Sequence, residues 1–219
     1  MIIGLVGLIG SGKDTAADYL VRSRQFRRDS FAAPLKDAVA NVFGWDRIML
    51  EGLTEDSRRW REQGDIWWSE RLGRYITPRL MLQEWGTEVC RNGFHTDIWV
   101  ASMENRLRQT TDNIVISDVR FPNEIFAIKQ AGGFIIQIDR GDKPDWWDRA
   151  VMWNRSDKSE ATPPGLPHAS EWSWVGNYFI DEVIGNNGTL EDLYSSLNNT
   201  IDTIERFNYT DSLDNKEQS

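Results

Sequence analysis

Gly7, Gly10 and Gly12, closed by Lys13, are the residues of this chain whose types and spacing speak most directly of chemistry. Read as Gly-x-x-x-x-Gly-Lys between an apolar run and an alanine-rich pattern, they sit where a strand hands over to a helix. Glycines let such a loop curl with its N–H groups pointing inward, the following helix offers its positive end, and the lysine adds a mobile ammonium. That combination grips the phosphates of a nucleoside triphosphate, here through Gly10, Ser11, Gly12, Lys13, Asp14 and Thr15.

Two further features complete a phosphate chemistry. Residues 113–118, Asn-Ile-Val-Ile-Ser-Asp, read as a buried parallel strand ending in a carboxylate. Asp118 at such a position can hold Mg²⁺ directly or through water, and Asp14 is a second candidate. Arg120 lies two residues beyond, and Arg140 leaves the end of another apolar run at 134–138. With Lys13 they are the candidates for neutralising charge on a transferring phosphoryl group. Asp14 stands where most such loops carry a hydroxyl, which arrives instead on Thr15; this points toward small kinases rather than switch GTPases.

The elements that must position these residues alternate between strand and helix. A strand over 2–6 precedes a helix carrying Ala16, Ala17, Leu20 and Val21, and the basic run 22–28 reads as its solvated end. Pro34 opens a second helix that stops at Gly44, with Lys36 in its first turn. Residues 45–74 are charged and aromatic without a clean period, as expected of an inserted or mobile segment. Thr77 and Pro78 start a helix that Asn92-Gly93 stops. Arg79, Gln83, Gly86, Thr87 and Arg91 would share its polar face opposite Leu82, Trp85 and Val89. A helix over 99–108, the strand at 113–118, a helix from Pro122 to the glycines at 132 and 133, and the strand at 134–138 follow.

Residues 141–176, with Arg149, Arg155, Lys158, His168 and Glu171, are too long and polar for an ordinary connection and read as a lid. A last strand region at 178–184, a tight turn at Asn186-Asn187-Gly188, an amphipathic helix over 189–207 and an acidic, frayed tail at 208–219 close the chain. The fold class expected is α/β: three layers, a mostly parallel sheet flanked by helices, in one domain over 1–207.

Composition sets limits on partners. A chain of 219 residues with 40% hydrophobic and 27% charged content suits a globular protein with a real core. The net charge of −9 argues against a general nucleic-acid surface while leaving room for a cationic cleft. No run approaches membrane-spanning length, and no basic leader with an apolar stretch precedes the first strand. The single cysteine excludes an internal disulfide framework, so a reducing cytoplasm, that of a host if the chain is viral, is the expected setting. The eleven tryptophans, several in polar stretches, suggest ring stacking or lid closure beside core filling. Whether the chain forms a homodimer stays open.

Taken together, several segments resemble the bacteriophage deoxynucleoside monophosphate kinases, a branch of the P-loop kinases. The matching pieces are Ser11-Gly12-Lys13-Asp14-Thr15, Ala33-Pro34-Leu35-Lys36-Asp37-Ala38, Arg79 with Gln83 and Gly86-Thr87-Glu88, Asp118-Val119-Arg120 with Glu124, His168 with Glu171, and residues 187–193. The last also resembles the dephospho-coenzyme A kinases, in which the asparagine-glycine turn lies against adenine. The resemblance implies ATP and Mg²⁺ as cofactors, with adenine near Asn187 and Gly188. It implies a deoxynucleoside monophosphate held by Lys36, Arg58 or Arg59, Arg79, Gln83, Thr87, Asp118, Arg120 and Glu124. A kinase for another small molecule, such as dephospho-coenzyme A, and a nucleotide-gripping protein without turnover remain the alternatives.

Overall fold

A computed structural model of the chain describes residues 1–157 and 162–217, with side chains as far as Phe207. Lys158, counted above in the lid stretch, lies outside the described residues, as do the last two residues of the tail.

In chain order the first elements are β1 (Ile2–Val6), α1 (Lys13–Ser23), β2 (Arg27–Asp29), α2 (Ala33–Phe43), α3 (Arg47–Glu51), α4 (Glu55–Glu62), α5 (Ile66–Leu72) and α6 (Pro78–Gln83). A π-helical segment, Glu84–Asn92, continues α6. Then come α7 (Ile98–Leu107), β3 (Ile114–Ile116), α8 (Pro122–Gln130), β4 (Phe134–Asp139), α9 (Trp147–Arg155), α10 (Ala169–Trp172), β5 (Glu182–Gly185) and α11 (Leu190–Glu217). They form two compact units: a sheet body of Met1–Asp29 with the chain from Thr110 onward, and a helical body of Ser30–Gln109.

The sheet body holds five strands in the order β2-β3-β1-β4-β5, every neighbouring pair parallel. On one face Ile3, Leu5, Val115, Ile136, Ile138 and Ile184 pack with Ala16, Ala17 and Leu20 of α1 and with Leu193, Leu197, Ile201 and Ile204 of α11. The apolar residues of both helices recur at helical spacing, which is why one stripe of each is buried. On the other face α8 closes so tightly that a Cβ on Gly4 would come 2.8 Å from Ile128 Cδ1. Helix, sheet and helix make the three layers expected, around a parallel sheet with the glycine loop after its first strand.

Three expectations need correction here. The run 22–28 is not simply a solvated end: the chain turns at Gln25, with φ 57°, and Arg27–Asp29 adds an edge strand to β3. The last strand is confined to Glu182–Gly185 rather than beginning at 178. The final helix continues unbroken to Glu217, past Phe207 where the frayed tail was expected to begin. Within 141–176 the described chain forms α9 and α10 and buries Trp172, Trp174 and Val175, so the polar stretch carries helices and core contacts of its own.

The helical body shows why 45–74 lacks a readable period. Its three helices are five to eight residues long. Each starts on a side-chain cap: Asp46 accepts from the N–H groups of Ile48 and Met49, Thr54 shares a capping box with Ser57, and Asp65 accepts from Trp68 N–H. Left-handed glycines at Gly52 and Gly73 end two of them. Beneath lie Val39, Phe43, Leu50, Ile76 and Met81. Trp45 stacks on Phe43 at 4.5 Å and Trp68 meets its edge at 4.9 Å, so these indoles are core material. The π-helical segment shifts the phase of the helix that begins at Pro78, because each turn takes up an extra residue. Gly86 is therefore buried and Val89 is 52% exposed, the reverse of the faces expected.

Candidate active site

The loop between β1 and α1 has backbone angles that only glycine adopts comfortably: φ is 152° at Gly7, 79° at Gly10 and 102° at Gly12. Neighbours also forbid side chains there, since a Cβ would come 2.4 Å from Ile138 O at Gly7 and 2.3 Å from Asn186 Nδ2 at Gly12. Gly12 caps α1, and among the described residues no side chain accepts from the first-turn N–H groups. The positive end of an eleven-residue helix is thus left open to an anion.

Lys13 folds back on this loop, its Nζ donating to Gly7 O at 2.8 Å and Leu8 O at 2.9 Å. Burial, and then the charge of Arg120, bring its pKa down from 10.5 to about 8, against opposing pulls from Asp14 and Glu171. Arg120 itself is held by Glu171 of α10 at 3.3 Å. Sequence position therefore separates Lys13, Arg120 and Glu171 widely while the fold groups their charges. His168 serves α10 as its cap, with Nδ1 accepting from Ser170 N–H.

Glu124, given a ligand role by resemblance, also has a structural task. It is 3% exposed, and its Oε2 accepts from the backbone N–H groups of Arg120 at 2.8 Å and Phe121 at 3.2 Å. That is a helix cap for α8 and a clamp on the backbone that carries Arg120. Asp118 stands half-buried at the end of β3, beside β1 as expected. Arg140 follows Asp139 at the same end of the neighbouring β4, is exposed, and has no hydrogen bond or ion pair among the described residues.

The turn at 186–188 lies against the loop: buried Asn186 donates from Nδ2 to Ser11 O at 2.8 Å, and Asn187 Oδ1 accepts from Gly141 N–H at 2.8 Å. Asn186 was missed by the sequence reading, which stopped at its two neighbours. Arg28 was missed as well. Its guanidinium donates to Ser117 Oγ at 2.7 Å and to Asp18 Oδ1 at 2.9 Å, and it pairs with Asp14.

These contacts bear on Mg²⁺. Among the described residues no cluster of three or more carboxylates, histidines or cysteines could enclose a metal. An ion held by one carboxylate together with substrate phosphates and water needs no such cage, and Asp118 suits that arrangement. Asp14 is paired with the Arg28 guanidinium.

In the helical body, Lys36 is paired with Glu51, which also receives Arg47. Burial pushes the Glu51 carboxyl up, but hydrogen bonds from Lys36 and Arg47 outweigh it and leave the pKa low. Glu51 is therefore an anionic partner of Lys36 within the chain. Arg59 is exposed and paired with Asp56, whereas Arg58 donates to Leu53 O at 3.0 Å and Arg79 lies 3.3 Å from Glu62. Arg61, absent from the sequence-based set, feels the charges of Arg79, Glu62 and Arg58. Burial first, and then the charges of Arg79 and Arg58, depress its pKa, and its buried Nε has no partner. Gly52 makes room for it: a Cβ there would come 2.2 Å from the guanidinium carbon. Gln83 and Thr87 are exposed on the same body. No helix among the described residues is long and apolar enough to cross a membrane.

Comparison with known proteins agrees with the resemblance seen in the motifs. The profile of the deoxynucleotide monophosphate kinase family matches residues 67–197, from α5 into α11, a span that does not include the glycine loop. A relative from Acanthamoeba polyphaga mimivirus, assigned to the same kind of enzyme, is 31% identical over 224 residues, covering 95% of this chain and 100% of that protein. The deoxynucleoside-5′-monophosphate kinase of Escherichia phage T5 is 26% identical over 57% of this chain and 70% of its own length. The deoxynucleotide monophosphate kinase of Enterobacteria phage T4 is 21% identical over 93% of this chain and 99% of its own. A profile that spans most of the chain, and a relative matched along its entire length, join the loop and strand order in one conclusion: the chain belongs to the deoxynucleotide monophosphate kinase family.

Proposed function

We propose that this kinase transfers the γ-phosphoryl group of ATP to the 5′-phosphate of a deoxynucleoside monophosphate. A phosphate oxygen of the acceptor bonds to the γ-phosphorus, the bond to the β–γ bridging oxygen breaks, and ADP leaves with the electron pair. The observation that carries this reading is the open end of α1, where no described side chain accepts from the first-turn N–H groups, with Lys13 poised on the loop carbonyls. The loop residues 10–15 hold the ATP phosphates, and the turn at Asn187-Gly188, tied to the loop through Asn186, receives the adenine.

The acceptor needs no general base, since its second ionisation, with a pKa of about 6, is nearly complete at neutral pH. Catalysis then rests on in-line placement and charge neutralisation. Lys13, Arg120 and Arg140 supply cations in the sheet body, and Glu124 holds Arg120 through its backbone. In the helical body Arg58, Arg61 and Arg79 form the cationic group suited to the acceptor phosphate. Lys36, Gln83 and Thr87 are further acceptor-side donors. Mg²⁺, when bound at Asp118 with the phosphates, adds charge neutralisation at the β and γ oxygens. The 141–176 segment, with Glu171 on Arg120, excludes water when it closes.

Incubation with ATP and a panel of deoxynucleoside monophosphates, followed by chromatographic separation, tests this. Equal amounts of ADP and a deoxynucleoside diphosphate are expected. Product from dephospho-coenzyme A alone, or ATP binding with no product from any acceptor, would overturn it.

A further inference from the structure

Asp14 poses a problem that the ATP reading leaves unsolved. It places a carboxylate in the first turn of the helix whose open end is to receive polyphosphate, directly after Lys13. A carboxylate there suits the helix dipole but repels an incoming anion. The fold answers with an arginine from a different element. β2 pairs with β3 in register, Arg28 opposite Val115, and Phe26 two residues earlier packs in the core with α1. Alternation along the strand therefore sends Arg28 to the α1 side as well.

There its guanidinium reaches three groups at once. It pairs with Asp14, donates to Asp18 at 2.9 Å one turn further along α1, and donates to Ser117 at 2.7 Å at the end of β3. Ser117 in turn donates to Asp14 Oδ1 at 3.3 Å, so the carboxylate is held from two sides. Arg28 is well covered, at 28% side-chain exposure, while Asp14 is 66% exposed at the loop. The cation is built in and the anion it serves faces solvent.

We infer that Arg28 is a positioning residue of the phosphate loop, a fixed counter-cation that neutralises Asp14 and turns it away from the nucleotide while fastening α1 to the end of β3. The inference rests on the reading of the loop as an ATP site. It also assigns Asp14 a partner that is an arginine rather than a metal.

Isothermal titration calorimetry of metal-free ATP in EDTA, with R28Q, D14N and the double variant, provides the test. R28Q is expected to weaken ATP about tenfold, the coupling of one close charge pair. D14N is expected to bind at least as tightly as the parent, and the double variant to return to within about threefold of D14N. Rescue by the second substitution separates charge neutralisation from simple loss of structure. R28Q binding as the parent does, or a double variant no better than R28Q, overturns the inference. Should R28Q not fold, D14N still decides: retained or tighter metal-free ATP binding supports it, and weaker binding refutes it. A parent protein that binds no ATP would instead sink the underlying reading of the loop.

Discussion

Lys13 should destabilise the fold it serves. Its pKa falls from 10.5 to about 8 on folding, so the folded protein holds the charged form less well than the unfolded chain does. A shift of this size corresponds to roughly 3 kcal/mol. The sign follows from linkage. The penalty is fully present below about pH 8, where both states carry the charge, and it is relieved as pH rises through the window from 8 to 10.5. Lys13→Met keeps most of the volume and removes the charge, but it also removes two hydrogen bonds to loop carbonyls, each worth about 1 kcal/mol. A net gain of about 1–2 kcal/mol is therefore expected at neutral pH, or an increase in Tm of roughly 2–8 °C for a chain of this length. Circular-dichroism melts of parent and variant without nucleotide, at pH 7 and at pH 9.5, measure it. The variant should melt higher at pH 7, and its advantage should shrink or reverse at pH 9.5. A variant that melts lower than the parent at pH 7 would refute the reasoning, because it would mean that Lys13 is a net stabiliser and not a group held at a cost for binding.

Other expectations follow from the same contacts. ATP phosphates beside Lys13 should restore its proton, so binding near pH 8.5 should take up about three quarters of a proton, read by calorimetry in buffers of different ionisation enthalpy; Lys13→Met should abolish the uptake. Glu124→Ala should cost about 1–3 kcal/mol in urea denaturation, because it leaves two N–H groups near Arg120 without their buried acceptor, and it should lower kcat. Gly12→Ala should weaken ATP binding at least tenfold by about 1–3 kcal/mol of strain, since the new Cβ meets the Asn186 amide that ties the turn to the loop. Arg79→Ala and Arg61→Ala should raise KM for the monophosphate more than KM for ATP, and the opposite ranking would move them to the donor side.

The parts of the fold that the sequence made legible are those where one residue type has one physical use. Glycines before a lysine at a strand-to-helix junction, Thr77-Pro78 at a helix start and Gly44 at a helix stop each signal their own backbone, and each is found in that role. β2 was hidden because its three residues, Arg-Arg-Asp, carry no apolar alternation. An edge strand can be held by backbone pairing alone, and here Arg28 turns to the charges of α1 while Arg27 pairs with Asp112. The helices of 45–74 were hidden because none is long enough to show a helical period, although their capping residues were in plain view. Val89 was misplaced by a wheel of ordinary pitch in a segment wound as a π-helix.

The candidate site was legible in type more than in partner. Lys13 and Asp118 stand at the expected strand ends, yet the sequence cannot say that Glu171, from α10, steadies Arg120 close to Lys13. Glu124 shows a second use that the sequence also signals. A glutamate at the third position of a helix opened by proline is a capping signal, and the cap accounts for its burial. Arg58, Arg59 and Arg61 are equivalent on paper; burial beside Gly52 distinguishes Arg61, and Arg59 is exposed and paired with Asp56.

Transfer of label from γ-³²P-ATP tests the central claim most directly. With the parent protein, Mg²⁺ and a deoxynucleoside monophosphate, the label is expected in the β-phosphate of the deoxynucleoside diphosphate, and Lys13→Met, though folded, should leave it in ATP. Label appearing only as inorganic phosphate, or transferred equally well by Lys13→Met, would contradict the account.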